Sequence, residues 1–249
     1  AVWAEKDTSS ENPGGYHIMV AIADVSWYVR CESALDSDAK LRGNSTYFPD
    51  RVLPMLPFEV SNGVCSLKPH EDRAALVCEM WIDKSGIKKK HRFVRALIRS
   101  ERRLTYPEVE EAIQGHTPIV GLEKEIETLK NVYLLLKKQR KKRGVIEIDV
   151  PEQQVELTKD GHIKSIHPRQ TLSSMQLIEE LMILSNVSAA ETLEEKHMPT
   201  MYRVHDRPSE EKLKTLNNFL KSIRIIKKPF TEQAEPKDFN LVLEKARIH

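Results

Sequence analysis

Two periods organise the apolar positions of this chain. His17–Val25 (IMVAIADV after the histidine), its apolar run ended by Asp24, reads as a buried strand. Pro13-Gly14-Gly15 just before it is a hairpin signal that pairs it with a short strand over Ala1–Glu5. A second hairpin is predicted from Ala74–Asp83 (AALVCEMWID), a turn at Ser85-Gly86 and a return over Lys90–Glu101. There His91, Phe93 and Arg95 alternate with Arg92, Val94 and Ala96, and the pattern does not say which set faces the core. Strands are also expected at Val145–Val150, Val155–Leu157, Ile163–His167 and Met201–Val204, with an extended piece at Trp27–Arg30. The other period is helical. Leu122, Ile126, Leu129, Val132, Tyr133 and Leu136 recur at three and four, predicting a helix over Glu123–Arg143 that Gly144 ends. Met175, Ile178, Leu181, Met182, Leu184 and Val187 predict a long helix over Thr171–Lys196. Thr105, Pro107 and Gly115 bracket another, Ser209 opens one that runs to Ser222, and two more are expected near Ser37–Leu41 and Lys237–Ala246. The fold class expected is α+β, an antiparallel sheet with packed helices, as one domain over residues 1–249 with no separate second domain.

Between the two hairpins lies a stretch that fits neither period, Leu41–Pro69 (LRGNSTYFPDRVLPMLPFEVSNGVCSLKP). Pro49, Pro54 and Pro57 each fix φ and remove a donor, and Gly43 and Gly63 add turn chemistry. A segment this irregular and this apolar must be held by packing, and such loops tend to carry function. Arg42, Asn44, Ser45, Thr46 and Tyr47 bring a cation, small polar groups and a ring into six residues, a mix that suits a nucleic-acid backbone with a base stacked on the ring. The competing reading is a proline-rich connector with an ordinary core tyrosine.

Charge changes the picture little. The 249 residues carry a net charge of +2 with a pI near 8.4, so any polyanion partner must be met by local clusters. Lys88–Arg92, Lys137–Arg143 and Lys227-Lys228 are such runs, each equally readable as a solvated face. Three cysteines, Cys31, Cys65 and Cys78, lack the spacing of a disulfide framework or zinc site and fit a reducing cytoplasm. No apolar run approaches the ~20 residues of a membrane span. The opening AVWAEKD, without Met, reads as the start of a piece of a longer chain.

RGNSTYFPDRVLPMLP and SNGVCSLKP, with HIMVAIADVSWYVRCESALDSDAKLRG upstream and DRAALVCEM, RSERRLTYPEV, KKRGVIEID, QLIEELMILSNVSAA and YRVHDRPSEEKL downstream, are similar to the catalytic domain of the ribonuclease II / ribonuclease R family, on its ribonuclease R side. The likeness covers essentially the whole chain. It implies a 3′-to-5′ exoribonuclease that hydrolyses single-stranded RNA processively to 5′-mononucleotides, in the cytoplasm, with no membrane and no obligate protein partner. It also implies Mg²⁺ held by an aspartate cluster resembling D-P-x-x-A-x-D-F-D-D-A. That motif is absent here, with Ala1-Val2 aligning just past it, and so is the arginine-rich S-P-I-R-R-Y segment. The expectation is therefore of a piece that supplies the wall of an RNA channel, with neither catalytic nor metal-binding residues of its own, and that is inactive alone. The alternatives are a non-catalytic RNA-binding scaffold or degenerate homologue, or an interaction protein whose basic run Lys137–Arg143 docks an acidic partner.

Carried over residue by residue, the resemblance puts Tyr47 where an aromatic stacks on nucleotides near the 3′ end, Glu179 where a side chain contacts RNA, and Tyr106 where a channel-proximal tyrosine stands. Helix capping competes for Tyr106, and a solvated helix edge for the Glu179-Glu180 pair, whose members point about 100° apart. Ile148 departs from the family, which often has a stacking phenylalanine there. Arg42 and Arg51, flanking Tyr47, are the preferred phosphate contacts. Asp24 could approach a metal cluster or satisfy a strand end, and His205 could meet phosphate or be structural.

Overall fold

In a computed structural model of the chain, residues 1–146, 152–168, 170–226 and 228–246 are described. They form two compact units, Ala1–Leu136 with Pro151–Thr192, and Lys137–Val150 with Leu193–His249. The strand expected over Val145–Val150 falls largely outside the described residues, and Ile148 wholly so.

The first unit is built on four antiparallel strands. Strands β1 (Val2–Lys6) and β2 (Tyr16–Ala23) form the predicted hairpin. A short helix α1 (Val25–Tyr28) and helix α2 (Ala34–Arg42) follow, then two-residue strands β3 (Thr46–Tyr47) and β4 (Val52–Leu53) and a π-helical turn, Glu59–Val64. Strands β5 (Asp72–Ile82) and β6 (Lys88–Arg99) complete the sheet in the order β1-β2-β5-β6. Next come α3 (Tyr106–Gln114), α4 (Glu123–Arg143), a hairpin of β7 (Gln153–Leu157) and β8 (Ile163–Pro168), and α5 (Ser173–Glu195).

Strand register decides the faces. Val20 pairs with Cys78 and Cys78 with Phe93, while Ile18 pairs with Met80 and Met80 with His91. Those residues therefore share one face, with Ala4 and Ile82, and are covered by Ile113 of α3, Ile126, Leu129, Val132 and Tyr133 of α4, and Leu177 and Leu181 of α5. Ile18, Met80, Ile82, Leu181 and Val132 are wholly shielded from solvent. The alternation that was ambiguous in β6 is thus resolved in favour of His91 and Phe93 facing the helices. The opposite face carries the small cluster Ala21, Ala75 and Val77 and, at its hairpin end, a ladder in which His17 lies flat against Trp81 at 4.5 Å and edge-on to Trp3 at 5.8 Å. Glu79 is buried between His17, 3.2 Å away, and the Arg92 guanidinium at 2.9 Å.

Small polar residues on α5 let it sit close to the sheet. Lys88 Nζ donates to Ser188 Oγ at 2.9 Å and pairs with Glu191, and His91 Nε2 lies 2.8 Å from Thr192 Oγ1. At the β5–β6 turn Gly86 has φ +83° and a Cβ there would lie 2.9 Å from the Leu135 carbonyl oxygen, so the turn needs glycine for conformation and for space.

In the second unit, α6 (Glu210–Ser222) begins at Ser209, whose hydroxyl accepts from Lys212 N–H as predicted for its cap. Asn217 is buried and holds Phe230 by both its backbone groups, at 2.8 and 2.7 Å, and Phe230 stacks on Phe239 of α7 (Pro236–Ala246).

Two expectations are corrected. Trp27–Arg30 does not continue the strand. The chain turns into α1 because the buried Asp24 carboxylate is gripped by Arg95 at 3.0 Å and by Ser26 Oγ at 2.7 Å. Met201–Val204 is not a strand, and Met201, Tyr202 and Val204 are exposed. An alternating run without a neighbouring strand has no ladder to join.

Candidate nucleic-acid interface

The proline-studded stretch folds into a minimal hairpin. Thr46 pairs with Leu53 and Tyr47 with Val52, and the Phe48 amide donates to the Arg51 carbonyl at 2.8 Å. Pro49 and Pro54 limit the ladder to two residues a side, since neither can donate. The Ser45 hydroxyl steadies the base by accepting from the Met55 amide at 3.0 Å. This scaffold holds Tyr47 out in solvent at 77% exposure, with Phe48 and Leu53 also exposed. The reading of Tyr47 as an ordinary core tyrosine is therefore wrong.

Arg42 and Arg51 belong to the same hairpin region and both are already engaged. Arg42 Nε donates to Asp38 at 2.9 Å and its Nη1 to the Pro54 carbonyl at 3.3 Å, which ties α2 to the hairpin. Arg51 Nη1 donates to Asp50 at 3.0 Å while its guanidinium lies 5.4 Å from the Phe48 ring centre. Exposed pairs of this kind are worth about 0–1 kcal/mol, so a phosphate could displace either carboxylate.

Tyr106 and Glu179 lie on other elements of the first unit, Tyr106 on α3 where it meets α5 and Glu179 further along α5. Tyr106 is the first residue of α3, 41% exposed, behind a full capping box: Thr105 N–H donates to the Glu108 carboxylate at 2.7 Å and Thr105 Oγ1 accepts from Glu108 N–H at 3.4 Å. The Thr105 hydroxyl and then its amide hold the Glu108 carboxyl below its ordinary pKa. Ser174 clips the two helices together, its hydroxyl donating to the Tyr106 carbonyl and its amide to the Glu110 carboxylate, each at 2.8 Å. Burial works to raise the Glu110 pKa, but the Ser174 amide and the Gln114 side chain outweigh it and leave the carboxyl more acidic than usual. Glu179 is exposed on α5. Glu180 is buried, so the picture of a solvated edge holds for Glu179 and fails for Glu180.

Beside this junction is a cleft of about 780 Å³ lined by Pro107, Glu110 and Glu111 of α3, Glu152, Gln153 and Gln154, and Gln170, Leu172 and Met175. Among the described residues no cation lines it, and those that line it offer carboxylate and amide groups. The structure thus brings Arg42, Tyr47 and Arg51 together, and sets Tyr106 on α3 and Glu179 on α5. The Glu110–Ser174 clip escaped the sequence reading. Its one local trace is a glutamate next to the apolar stripe of Val109 and Ile113.

Among the described residues no group of three or more His, Cys, Asp or Glu side chains could hold a metal ion. Asp24 is committed to Arg95, and His205 is exposed on the segment before α6. The described residues do not fit the magnesium centre that the resemblance implies.

A model of the RNB domain matches residues 4–247. The chain belongs to the RNB-domain family. Ribonuclease R of Escherichia coli K12 is 39% identical over 248 residues, an alignment that takes in 98% of this chain and 30% of the relative. A structure of Mycoplasma genitalium RNase R in complex with ribose-methylated single-stranded RNA superposes with a TM-score of 0.90 at 30% identity, covering 99% of this chain and 38% of that one. The same RNase R in complex with double-stranded RNA gives 0.91 at 28% identity, covering 99% and 44%. This RNB chain therefore spans about a third of the length of the relatives it matches. The α+β architecture with its antiparallel sheet is the fold of those RNase R structures. Among the described residues no helix is long and apolar enough to cross a membrane.

Proposed function

We propose that this chain forms the strand-holding wall of a 3′-to-5′ exoribonuclease of the RNB type that degrades single-stranded RNA to 5′-mononucleotides. The observation that carries the reading is the Tyr47 ring, 77% exposed on a stiff hairpin between two arginines, within a chain matched to the RNB domain from residue 4 to 247. A ring presented in this way stacks on any base and so serves an enzyme that must accept every sequence. Arg42 and Arg51 would exchange their carboxylate partners for phosphates. Tyr106 of α3 and the exposed Glu179 of α5 would line the strand's path, Glu179 accepting a ribose 2′-hydroxyl, the contact that separates RNA from DNA. Magnesium is the metal this chemistry calls for. The described residues offer no cage for it, and the chain's own part is to bind. The three cysteines, none of them disulfide-bonded, fit the reducing cytoplasm.

Filter binding of a labelled single-stranded oligoribonucleotide to the 249-residue protein tests the reading. Binding at low salt is expected, and Tyr47→Ala should weaken it by roughly 5- to 150-fold, the worth of one stacked base. With magnesium added, the labelled strand should stay full length. Absence of binding at low salt would defeat the reading, and progressive shortening would show that the chain also carries the chemistry.

A further inference from the structure

The cations of the hairpin are paired, so a polyanion held there needs attraction from elsewhere. The last turns of α4, KKQRKKR over Lys137–Arg143, carry six cations and no acidic residue. Lys137, Arg140 and Arg143 have partners. Lys138, Lys141 and Lys142 are exposed and make no ion pair among the described residues. Spaced at i, i+3 and i+4, these three fall within an arc of about 100° and within about 6 Å along the axis. They form one stripe of ammonium groups. Gly144, at φ +70°, ends the helix just beyond the stripe.

We infer that Lys138, Lys141 and Lys142 form a second RNA contact, a stripe that takes the phosphate backbone of a single strand outside the Tyr47 hairpin. The inference rests on the RNA-binding reading above. Lysine suits the task because a compact, mobile ammonium follows a phosphate chain without demanding fixed geometry. With a net charge of only +2, the protein has no diffuse field to replace such a stripe. The contact adds affinity without sequence preference and shows itself as salt dependence.

The test is a salt titration of single-stranded RNA binding by the whole 249-residue protein and by the triple variant Lys138→Gln, Lys141→Gln, Lys142→Gln. Each phosphate neutralised on a single strand contributes about 0.7 to the slope of log K against log salt, so the triple variant should lose about 2 from that slope. Single variants should each lose about a third of this, which guards against a fold effect, and circular dichroism of the triple variant should match the parent. An unchanged slope in a protein that still binds RNA overturns the stripe and leaves the hairpin reading standing. A parent that does not bind RNA at all overturns both. A poly-glutamate peptide is the counter-probe. If the parent binds it as tightly as RNA and the variant loses both equally, the stripe is a docking patch for acidic protein and its assignment to RNA is overturned.

Discussion

Tyr47 and Glu110 are the two residues whose environments say most. The ring of Tyr47 touches water on most of its surface, so its replacement by alanine should change RNA affinity while leaving thermal stability within about 0.5 kcal/mol. Glu110 is the reverse case, a carboxylate buried at 7% exposure and saturated by hydrogen bonds. Glu110→Ala strands the Ser174 amide and should cost about 1–3 kcal/mol in urea unfolding. Its pKa is depressed in the fold, so its contribution is fully present above the ordinary carboxylate value of 4.5 and fades as pH falls through the lower folded value. Stability curves of parent and Glu110→Ala should therefore converge below pH 4.5. Parallel curves down to acid-induced unfolding would mean that Glu110 gains nothing from its ionised form. Tyr47 was legible as a candidate in the sequence because its neighbours in the chain carry the signal. Glu110 was not, because its partner Ser174 is 64 positions away.

The elements divide in the same way. Thr105 and Gly115 bound α3 where they were expected to, with Gly115 in the left-handed conformation at φ +81°, and Ser209 opens α6. Caps act within one turn of helix, so the chain announces them. Strand β6 is the opposite case, since its two alternating sets are both mixed and cross-strand register alone assigns His91 and Phe93 to the covered face. The tight turn at its start is the element most sensitive to a single atom. Gly86→Ala adds a Cβ against the Leu135 carbonyl at a positive φ and should destabilise the protein by more than about 1 kcal/mol, read as a lower urea midpoint with an unchanged slope. A midpoint equal to the parent's would mean that the turn and α4 give way more readily than their packing implies.

For the whole molecule, thiol reactivity reports how the chain is folded. Cys31 is exposed, Cys65 is half-buried and Cys78 lies in the core beneath α5. Burial pushes the thiols of Cys65 and Cys78 up in pKa, which lowers their thiolate fraction and their reactivity. Titration with a disulfide reagent should find one thiol reacting promptly in the native protein, Cys65 lagging, and all three reacting once urea unfolds it. Prompt reaction of Cys78 in native buffer would contradict the packing of the sheet against α5.

Local chemistry reaches only a few residues along the chain, and within that reach the amino-acid order settled a good deal: the two sheet hairpins, the capped helices, and a proline-stiffened stretch bearing an aromatic ring between arginines. Contacts between distant parts of the chain settled the rest. They set the covered face of β6, joined α3 to α5 through Ser174, sank Glu180 while leaving Glu179 exposed, and gave Arg42 and Arg51 carboxylate partners while leaving three lysines of α4 without an ion pair among the described residues. A side chain's charge is written in the order of residues, but whether that charge is spent depends on which groups folding brings within about 4 Å of it.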